Sequence, residues 1–543
     1  MTNITTDQSF NTTATENSHL LQTESLSIKT LIAVSLLLIY IVSGKIFHKL
    51  NILFIHESGL CMVLGMIISG IAYFFSSTST FSKTLRFDDA MFFNFILPPI
   101  IFSAGYNMHC KNFFKYFHYA IIFGILGTFL TFCLIASITY LFNYVNFFSQ
   151  AFAVKDILLF SSVISATDTV SPLAFISQES HNKLFEVLFG EGIMNDSFSI
   201  VVYQILTRFY NIFSSWQMVS YFVFLFISSL ILGIIIGFIC SIFLKFLKKY
   251  KLQRYQEISV ILIFAFISYT TAEILDLSAI ISLLFCSISL SNYAFYNLSF
   301  PAREESCIVA KIISNLAEAF VFTYLGLTFF TMAQTNYSIA FVIVEFFAIT
   351  FARYLSVYLL TGLTNIFSDH PFTPGEKQVI SIAGCIRGAI AFGLALSFET
   401  GNVEKDTILL STTLILVFFT TILFGAWTPV ITKRLISNEG NKSILPNIQI
   451  AESYYLLGEE DENIKLNDNN NNNSNTGKKN FKYEHPNNMS LSREDGHENL
   501  TGLSKLWFDF DRFILKPILV DNWEECFKEH IDLSQKIKQT MNE

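Results

Sequence analysis

Long apolar runs alternate with short polar segments along most of this chain, and each run has about the length of a membrane-crossing helix. A helix needs about 20 apolar residues to cross a bilayer. Thirteen runs can be drawn, with approximate limits at 29–47, 52–75, 90–104, 115–142, 156–177, 184–208, 217–244, 256–275, 277–296, 308–331, 338–361, 377–397 and 406–433. The pattern predicts an all-α, polytopic membrane protein with about 13 transmembrane helices.

The composition agrees with this class and excludes several others. Hydrophobic residues make up 52% of the chain and charged residues only 14%, which is far from the average of soluble proteins. A net charge of -8 gives no reason to expect nucleic acid as a partner. The eight cysteines are scattered without the paired spacing of a metal site. We therefore predict no cofactor.

Lysine and arginine residues predict the orientation of the chain. An odd number of spans puts the two termini on opposite sides of the membrane. With the C-terminus in the cytosol, the cytosolic loops collect fifteen of these residues and the opposite side collects six. Because cytosolic loops carry the excess of positive charge, the N-terminal segment 1–28 is predicted to be luminal or extracellular and the C-terminus cytosolic.

Two of the runs contain features that interrupt a helix. The fifth reads SSVISATDTVSP over 161–172, with hydroxyl groups and Asp168 just before Pro172, and the twelfth reads IAGCIRGAIAFG over 382–393, with a lone Arg387. Pro172 removes a backbone donor, so an unwound stretch lining a cavity is expected. These runs are seven apart, which suits two inverted six-helix repeats, spans 1–6 and 8–13, with broken crossing helices in spans 5 and 12.

The sixth run carries two carboxylates, Glu191 and Asp196. An ionisable side chain at membrane depth is costly and is found mainly beside water or a partner. Five residues correspond to about 500° around a helix, so the two carboxylates lie on different faces. We therefore expect two roles, one for an ion and one for a fixed counter-charge. Glu191 with Arg387 is the predicted structural pair, and Glu318 with Arg353 is a second candidate pair.

The chain changes character after the last run. We divide it into the segment 1–28, a membrane domain over 29–435 and a tail over 436–543, which has an acidic run at 459–462 and an asparagine-rich tract at 467–475. The tail is predicted to be a mostly disordered cytosolic regulatory region. Periodicity returns only at 503–531, where either a docking or interfacial helix or a loosely ordered aromatic segment fits the pattern.

Several of these motifs occur together, and in the same order, in a known family. They are FFNFILPPIIF at 92–102, Ala166-Thr167-Asp168, FGEGIMND at 189–196 and RGAIAF at 387–392. Over roughly 30–435 the chain resembles the eukaryotic sodium/proton exchangers, which are monovalent cation:proton antiporters. WFDFDRFILKPIL at 507–519 resembles the tail of the endosomal branch. Thr169 and Gly192 differ from many members and resemble vacuolar ones, which leaves Na⁺ and K⁺ both open.

The resemblance implies a transport mechanism. Asp196 would take a cation and a proton in turn, with Asn195 and the unwound backbone at Thr167 and Asp168 completing a Na⁺ or K⁺ site. Partial desolvation of a carboxylate favours its protonated form, so proton and cation compete for Asp196. Asn195 stands where electrogenic relatives carry a second aspartate, which implies electroneutral exchange by alternating access. Asp168 either touches the cation or orients Asn195 and caps the broken helix, and both interpretations stay open.

The same residues also bear on other possible functions and on the expected partners. Phe92, Leu97 and Pro98 resemble the family's segment for amiloride-type inhibitors, although by composition they would be lipid-facing or core residues. A cation channel would need rings of polar groups, and a receptor or scaffold would not need mid-membrane charges. The expected partners are Na⁺ or K⁺, H⁺, membrane lipids, a second copy in a homodimer and unknown cytosolic proteins. The tail favours an endosomal or other acidic organelle, and the plasma membrane stays open.

Overall fold

The computed structural model describes most of the predicted membrane domain and a short part of the tail. The described residues are 35, 37, 38, 42, 57–75, 92–108, 118–148, 150–168, 170–173, 176, 182–210, 212, 214–250, 252–331, 338–367, 371–436, 510, 511 and 515–520. The predicted N-terminal segment 1–28 and most of the tail, including much of 503–531, lie outside them.

Within the described residues the secondary structure is entirely helical. The α-helices are α1 (Glu57–Phe75), α2 (Leu97–Tyr106), α3 (Thr128–Tyr144), α4 (Val154–Ser165), α5 (Val170–Leu173), α6 (Asn182–Phe209), α7 (Ser215–Leu247), α8 (Arg254–Ile274), α9 (Ala279–Ser289), α10 (Phe295–Asn297), α11 (Phe300–Thr331), α12 (Ile339–Phe367), α13 (Pro374–Ala383), α14 (Ala389–Leu396), α15 (Val403–Ile436) and α16 (Lys516–Leu519). π-Helical turns lead into α2 and α3 at Phe92–Ile96 and Ile122–Gly127, and a third, Leu290–Ala294, follows α9.

Seven helices in this part of the chain are long and apolar enough to cross a membrane. They are His118–Tyr144, Trp216–Tyr250, Arg254–Ile274, Ala279–Asn297, Phe300–Phe329, Ile339–Ile366 and Val403–Thr432. The chain is therefore a polytopic, all-α membrane protein, as its apolar pattern predicts.

The helices pack in two groups. One group contains α1, α2, α7, α8, α9 and α11, and the other contains α3, α4, α6, α12, α13, α14 and α15. In the first group α1 and α11 approach closely at two glycines, because a side chain on Gly65 or Gly326 would meet backbone atoms of the other helix. The second group, which we call the site bundle, holds the charged residues singled out from the sequence, except Glu318, which lies on α11 of the first group.

The predicted interruptions occur in both expected helices. α4 ends at Ser165 and is followed by extended backbone at Ala166, and α5 begins at Val170. In the twelfth run, α13 ends at Ala383 and α14 begins after Gly388. The third run differs, because Pro98 lies in the first turn of α2, where a missing backbone donor costs nothing, and a π-helical turn precedes it. This run is helical without a break from Phe92 to Tyr106.

A short piece of the tail contacts the first group of helices. Leu519 and Val520 are buried, and the backbone oxygen of Leu519 accepts hydrogen bonds from Ser241 (2.9 Å) and Asn297 (2.8 Å). Lys245 donates to the carbonyls of residues 517, 518 and 520 at 3.0–3.2 Å. A cation at the C-terminal end of a short helix compensates its unpaired carbonyls. For these residues the docking interpretation is favoured over a loose tail.

Substitution of Lys245 by methionine should release this segment. The ammonium group binds three carbonyls, and a hydrogen bond from a charged donor contributes about 1.5–3 kcal/mol. Amide hydrogen exchange of Val520, whose N–H bonds to the carbonyl of Lys516, should speed up by more than tenfold. Lys249→Met, at an exposed position four residues further along the chain, is the control. Equal exchange in both variants would contradict the contact.

Candidate functional site

The two helix interruptions cross each other in the site bundle. The backbone N–H of Asp168 donates to the carbonyl of Ile386 over 2.9 Å. The extended residue Gly388 lies against Asp168, and a Cβ atom at this position would come within 2.9 Å of the Asp168 Cβ. Thr420 and Thr421 of α15 hydrogen-bond the backbone N–H and carbonyl of Arg387. Backbone groups that would be unpaired in two broken membrane helices are thus partly satisfied by each other and by α15.

Charged side chains lie at the ends of the broken helices. Arg387 is fully buried, and its guanidinium donates to the carbonyls of Ser165 and Ala166 at 3.4 and 3.2 Å, where α4 ends. Asp168 lies beside Gly388, directly before the first residue of α14. A cation stabilises the C-terminal end of a helix and an anion stabilises the N-terminal end. Each side chain therefore has the sign that its helix end favours.

Asn195 links α6 to the crossing. In the amide orientation that gives each atom a fitting partner, its nitrogen donates to Thr128 Oγ1 (3.0 Å) and to the Ser165 carbonyl (3.2 Å). Its oxygen accepts from the backbone N–H and the hydroxyl of Thr167. Asn195 and Thr167 are almost fully buried. The predicted residues Asn195, Thr167 and Asp168 are therefore brought together, with Thr128 of α3 as an additional member.

Asp196, next to Asn195 on α6, lies beside this cluster. No hydrogen bond or ion pair joins its carboxylate to another described residue, although the Asp168 carboxylate is near enough to act on it electrostatically. Asp196 and Asp168 are both partly exposed, while Thr167 and Asn195 beside them are buried. Partly exposed carboxylates among buried neighbours indicate a crevice that reaches the crossing. Two carboxylates that share such a crevice offer the hard oxygen ligands that alkali cations prefer.

Glu191 forms its ion pair with Arg353 of α12. Both side chains are buried, and the guanidinium also donates to the carbonyl of Ile380 over 3.3 Å. Gly384 makes this arrangement possible, because a Cβ atom there would overlap the Arg353 guanidinium. The different faces predicted for Glu191 and Asp196 are observed, since one is in a closed pair and the other is beside the crossing.

The predicted partners within the charge pairs were therefore wrong. Arg387 makes no ion pair with Glu191 and binds helix-end carbonyls instead, although it is near enough to add to the positive field around that carboxylate. Arg353 pairs with Glu191 rather than with Glu318, whose carboxylate accepts a hydrogen bond from Ser314 one turn earlier on α11. Helix packing brings Arg353 closer to Glu191 than Arg387, and the linear sequence does not encode that choice.

The segment that contains Phe92, Leu97 and Pro98 borders the site bundle. All three residues are buried rather than lipid-facing. The Phe92 ring lies directly on Gly393 of α14, where any Cβ atom would overlap it. This contact connects the first group of helices to the second half of the broken twelfth span.

Three polar residues near the crossing or in the same bundle, Thr128, Ser199 and Glu345, were missed from the sequence. Thr128 binds Asn195, and the hydroxyls of Ser165 and Ser199 lie 3.0 Å apart. Glu345 is completely buried in α12. Serines and threonines are common in membrane helices and gave no signal. Glu345 interrupts the apolar run 338–361 and could have been recognised by the cost of a carboxyl group there.

Comparison with known proteins identifies the family. The family model described as sodium/hydrogen exchanger, transmembrane, matches residues 33–434. The chain belongs to the sodium/hydrogen exchanger family. Members are secondary active antiporters of sodium and protons rather than enzymes. The charge pairs, the crossing and the unpaired Asp196 are thus features of an exchanger.

Individual relatives include exchangers of internal membranes. The chain is 33% identical over 389 residues to an uncharacterised Na⁺/H⁺ antiporter of Schizosaccharomyces pombe, covering 69% of the chain and 67% of that protein. It is 30% identical over 395 residues to the endosomal/prevacuolar sodium/hydrogen exchanger of Saccharomyces cerevisiae, covering 69% and 62%. It is 31% identical over 402 residues to human sodium/hydrogen exchanger 8, covering 72% and 68%.

A solved structure shows the same fold. The sodium proton antiporter MjNhaP1 of Methanocaldococcus jannaschii matches with a TM-score of 0.59 and 18% identity, over 76% of this chain and 99% of that one. The exchanger thus has an antiporter fold, and the crossing of broken helices lies within it.

Proposed function

We propose that this exchanger trades one Na⁺ for one H⁺ at Asp196 by alternating access, without net charge movement. The observation that carries the proposal is the state of Asp196. It is a carboxylate beside the helix crossing, partly exposed, with no hydrogen bond or ion pair to another described residue. A group without a fixed protein partner is available to a proton or a cation.

Competition at this one group supplies the coupling. Asp196 lies beside a second carboxylate, Asp168, and a proton or a cation on Asp196 relieves the repulsion between the two like charges. A cation that enters the crevice is attracted by the same two carboxylates. Proton and cation therefore bind in turn, and each leaves when the other arrives.

The neighbours of Asp196 have supporting roles in this proposal. Asn195 has all its amide contacts within the protein and holds the unwound backbone at Thr167 in place. Asp168 stabilises the start of α14, and its carboxylate also provides an oxygen ligand to the cation. Arg387 and the Glu191–Arg353 pair hold the helix ends and the bundle, so only Asp196 changes its occupancy. Because one proton leaves Asp196 for each cation that binds there, the exchange is one for one and electroneutral.

Several wider features are proposed on the sequence pattern and on the family. They are thirteen spans in two inverted six-helix repeats, a luminal N-terminus, a cytosolic regulatory tail with protein partners, contacts with membrane lipids, and a homodimer. K⁺ as an alternative cation is included, because carboxylate and hydroxyl oxygens suit both ions. Endosomal and prevacuolar relatives support an acidic organelle as the location. Amiloride-type inhibitors are proposed to act at the segment of Phe92, Leu97 and Pro98.

Proton flux in reconstituted vesicles tests the proposal. Purified full-length protein in liposomes with an internal pH dye receives a Na⁺ gradient, and in parallel a K⁺ gradient, with the membrane potential clamped or free. We expect cation-driven proton movement at the same rate under both potential conditions, because no net charge crosses. Flux that follows the potential would indicate a channel or an electrogenic exchanger and would overturn the stoichiometry. If neither the Na⁺ gradient nor the K⁺ gradient drives proton flux, the proposed exchange itself is wrong.

A further inference from the structure

A second acidic residue is buried in the site bundle away from the helix crossing. Glu345 lies in α12, six residues after its first residue Ile339, or about 9 Å along the helix axis at 1.5 Å per residue. Its side chain has no exposed surface. An ionised carboxylate in such a place is costly unless a positive group or several hydrogen bonds compensate it.

No positive group among the described residues pairs with Glu345. Among the elements packed against α12, α3 carries no charged residue, and α13 has Glu376 and Lys377 only in its first turn, beside the end of α12 opposite Glu345, where Phe372 bonds Asn365. α15 has charged residues only at 404–406 and near its other end, and Lys405 pairs with Asp156 of α4 at 3.7 Å. The titratable residues of α3 are Cys133, Tyr140 and Tyr144, none of which is a basic residue. No ion pair within the described residues includes Glu345.

The hydrogen bonds around Glu345 fit a protonated carboxyl group. Thr139 of α3 has its hydroxyl oxygen 2.6 Å from Glu345 Oε1 and 2.8 Å from the carbonyl oxygen of Ile135. A threonine hydroxyl has one proton to donate. Both contacts are full two-centre hydrogen bonds when Thr139 donates to Ile135 and a protonated Glu345 donates to Thr139. The other carboxyl oxygen, Oε2, is buried and has no partner, which also fits a neutral acid.

We infer that Glu345 is a resident proton site, separate from Asp196, in which a neutral carboxylic acid joins α12 to α3. The two helices carry the residues that hold the crossing. α3 provides Thr128, which binds Asn195, and α12 provides Arg353, which pairs with Glu191. A proton that stays on Glu345 holds these helices together near the end of α12 at Ile339. Glu345 is thus a positioning residue, and its proton is not the transported one.

Infrared difference spectroscopy can detect this proton directly. The full-length protein is titrated in lipid in an Asp196→Asn background, so that the proposed transport proton does not contribute. We expect the carbonyl stretch of a protonated carboxylic acid at neutral pH, and its loss in Glu345→Gln. Glu257→Gln is the matched control, because Glu257 is also buried but accepts two hydrogen bonds from Ser299, and this substitution should leave the acid band unchanged. An acid band of equal size with and without Glu345 would overturn the inference.

The pH dependence of stability provides a second test that needs no transport. In the unfolded chain a glutamate releases its proton above about pH 4.3, whereas the folded protein keeps it on Glu345. The folded state then binds more protons, so wild-type stability falls as the pH rises, and Glu345→Gln lacks this loss. The melting temperature of Glu345→Gln should exceed that of the wild type by a margin that widens by several degrees from pH 5 to pH 8. A margin that stays constant or narrows would contradict the resident proton.

Discussion

Replacement of Asp196 by asparagine is expected to reduce cation-driven proton flux to the level of protein-free vesicles. Asparagine has nearly the same size and shape but can neither bind a proton nor attract a cation by charge. Because Asp196 has no hydrogen bond or ion pair with another described residue, the change breaks no such contact in the protein. The loss should therefore come from the chemistry of the site and not from its folding. The measurement is the liposome assay with an internal pH dye and a Na⁺ gradient.

A chemically identical change elsewhere is the control for this prediction. Asp276 is exposed and pairs with the exposed Arg208 at 3.3 Å, so Asp276→Asn should leave the flux unchanged. The Asp196→Asn protein should melt at or above the wild-type temperature, since a carboxylate beside Asp168 is replaced by a neutral group. Substantial flux through a folded Asp196→Asn protein would show that another group carries the proton, and the proposed mechanism would fail.

The sequence predicted the interruptions of the helices because these depend on local chemistry. Pro172 and the glycines at 384 and 388 disfavour a continuous helix wherever they occur in a membrane span. The structure accordingly breaks the helices near Ala166 and between Ala383 and Ala389. A proline by itself does not interrupt a helix, because Pro98 lies in the first turn of α2, where it removes no hydrogen bond.

The partners of the buried charges could not be predicted, because they depend on packing between distant segments. The sequence contains two candidate partners for Glu191, Arg353 and Arg387. The contact of Glu191 with Arg353 depends on the absence of a side chain at Gly384. The role of Arg387 depends on the crossing itself, since the carbonyls of Ser165 and Ala166 become available only where α4 ends beside it. Glu345 would have been found by asking of every charged residue in an apolar run what neutralises it.

Breaking the Glu191–Arg353 pair is expected to be the most destabilising change in the site bundle. Both side chains are buried, so Glu191→Gln or Arg353→Met alone leaves a buried charge without its counter-charge. Removal of one partner of a buried ion pair costs about 3–5 kcal/mol. We expect a large drop in the melting temperature of the detergent-solubilised protein and a matching loss of folded protein in the membrane. Arg208→Met, which breaks an exposed pair, should change the melting temperature little.

The double variant distinguishes a structural pair from a pair that serves transport. If the pair only compensates its own charges, Glu191→Leu combined with Arg353→Met should recover much of the stability lost in each single variant, because apolar side chains avoid the desolvation cost. Exchange should then recover with the folded protein, since Asp196 and Asn195 are untouched. Exchanging the two charges should not succeed, because Gly384 provides space for a guanidinium at position 353 and not at position 191. A stable double variant without exchange would instead assign the pair a direct part in transport.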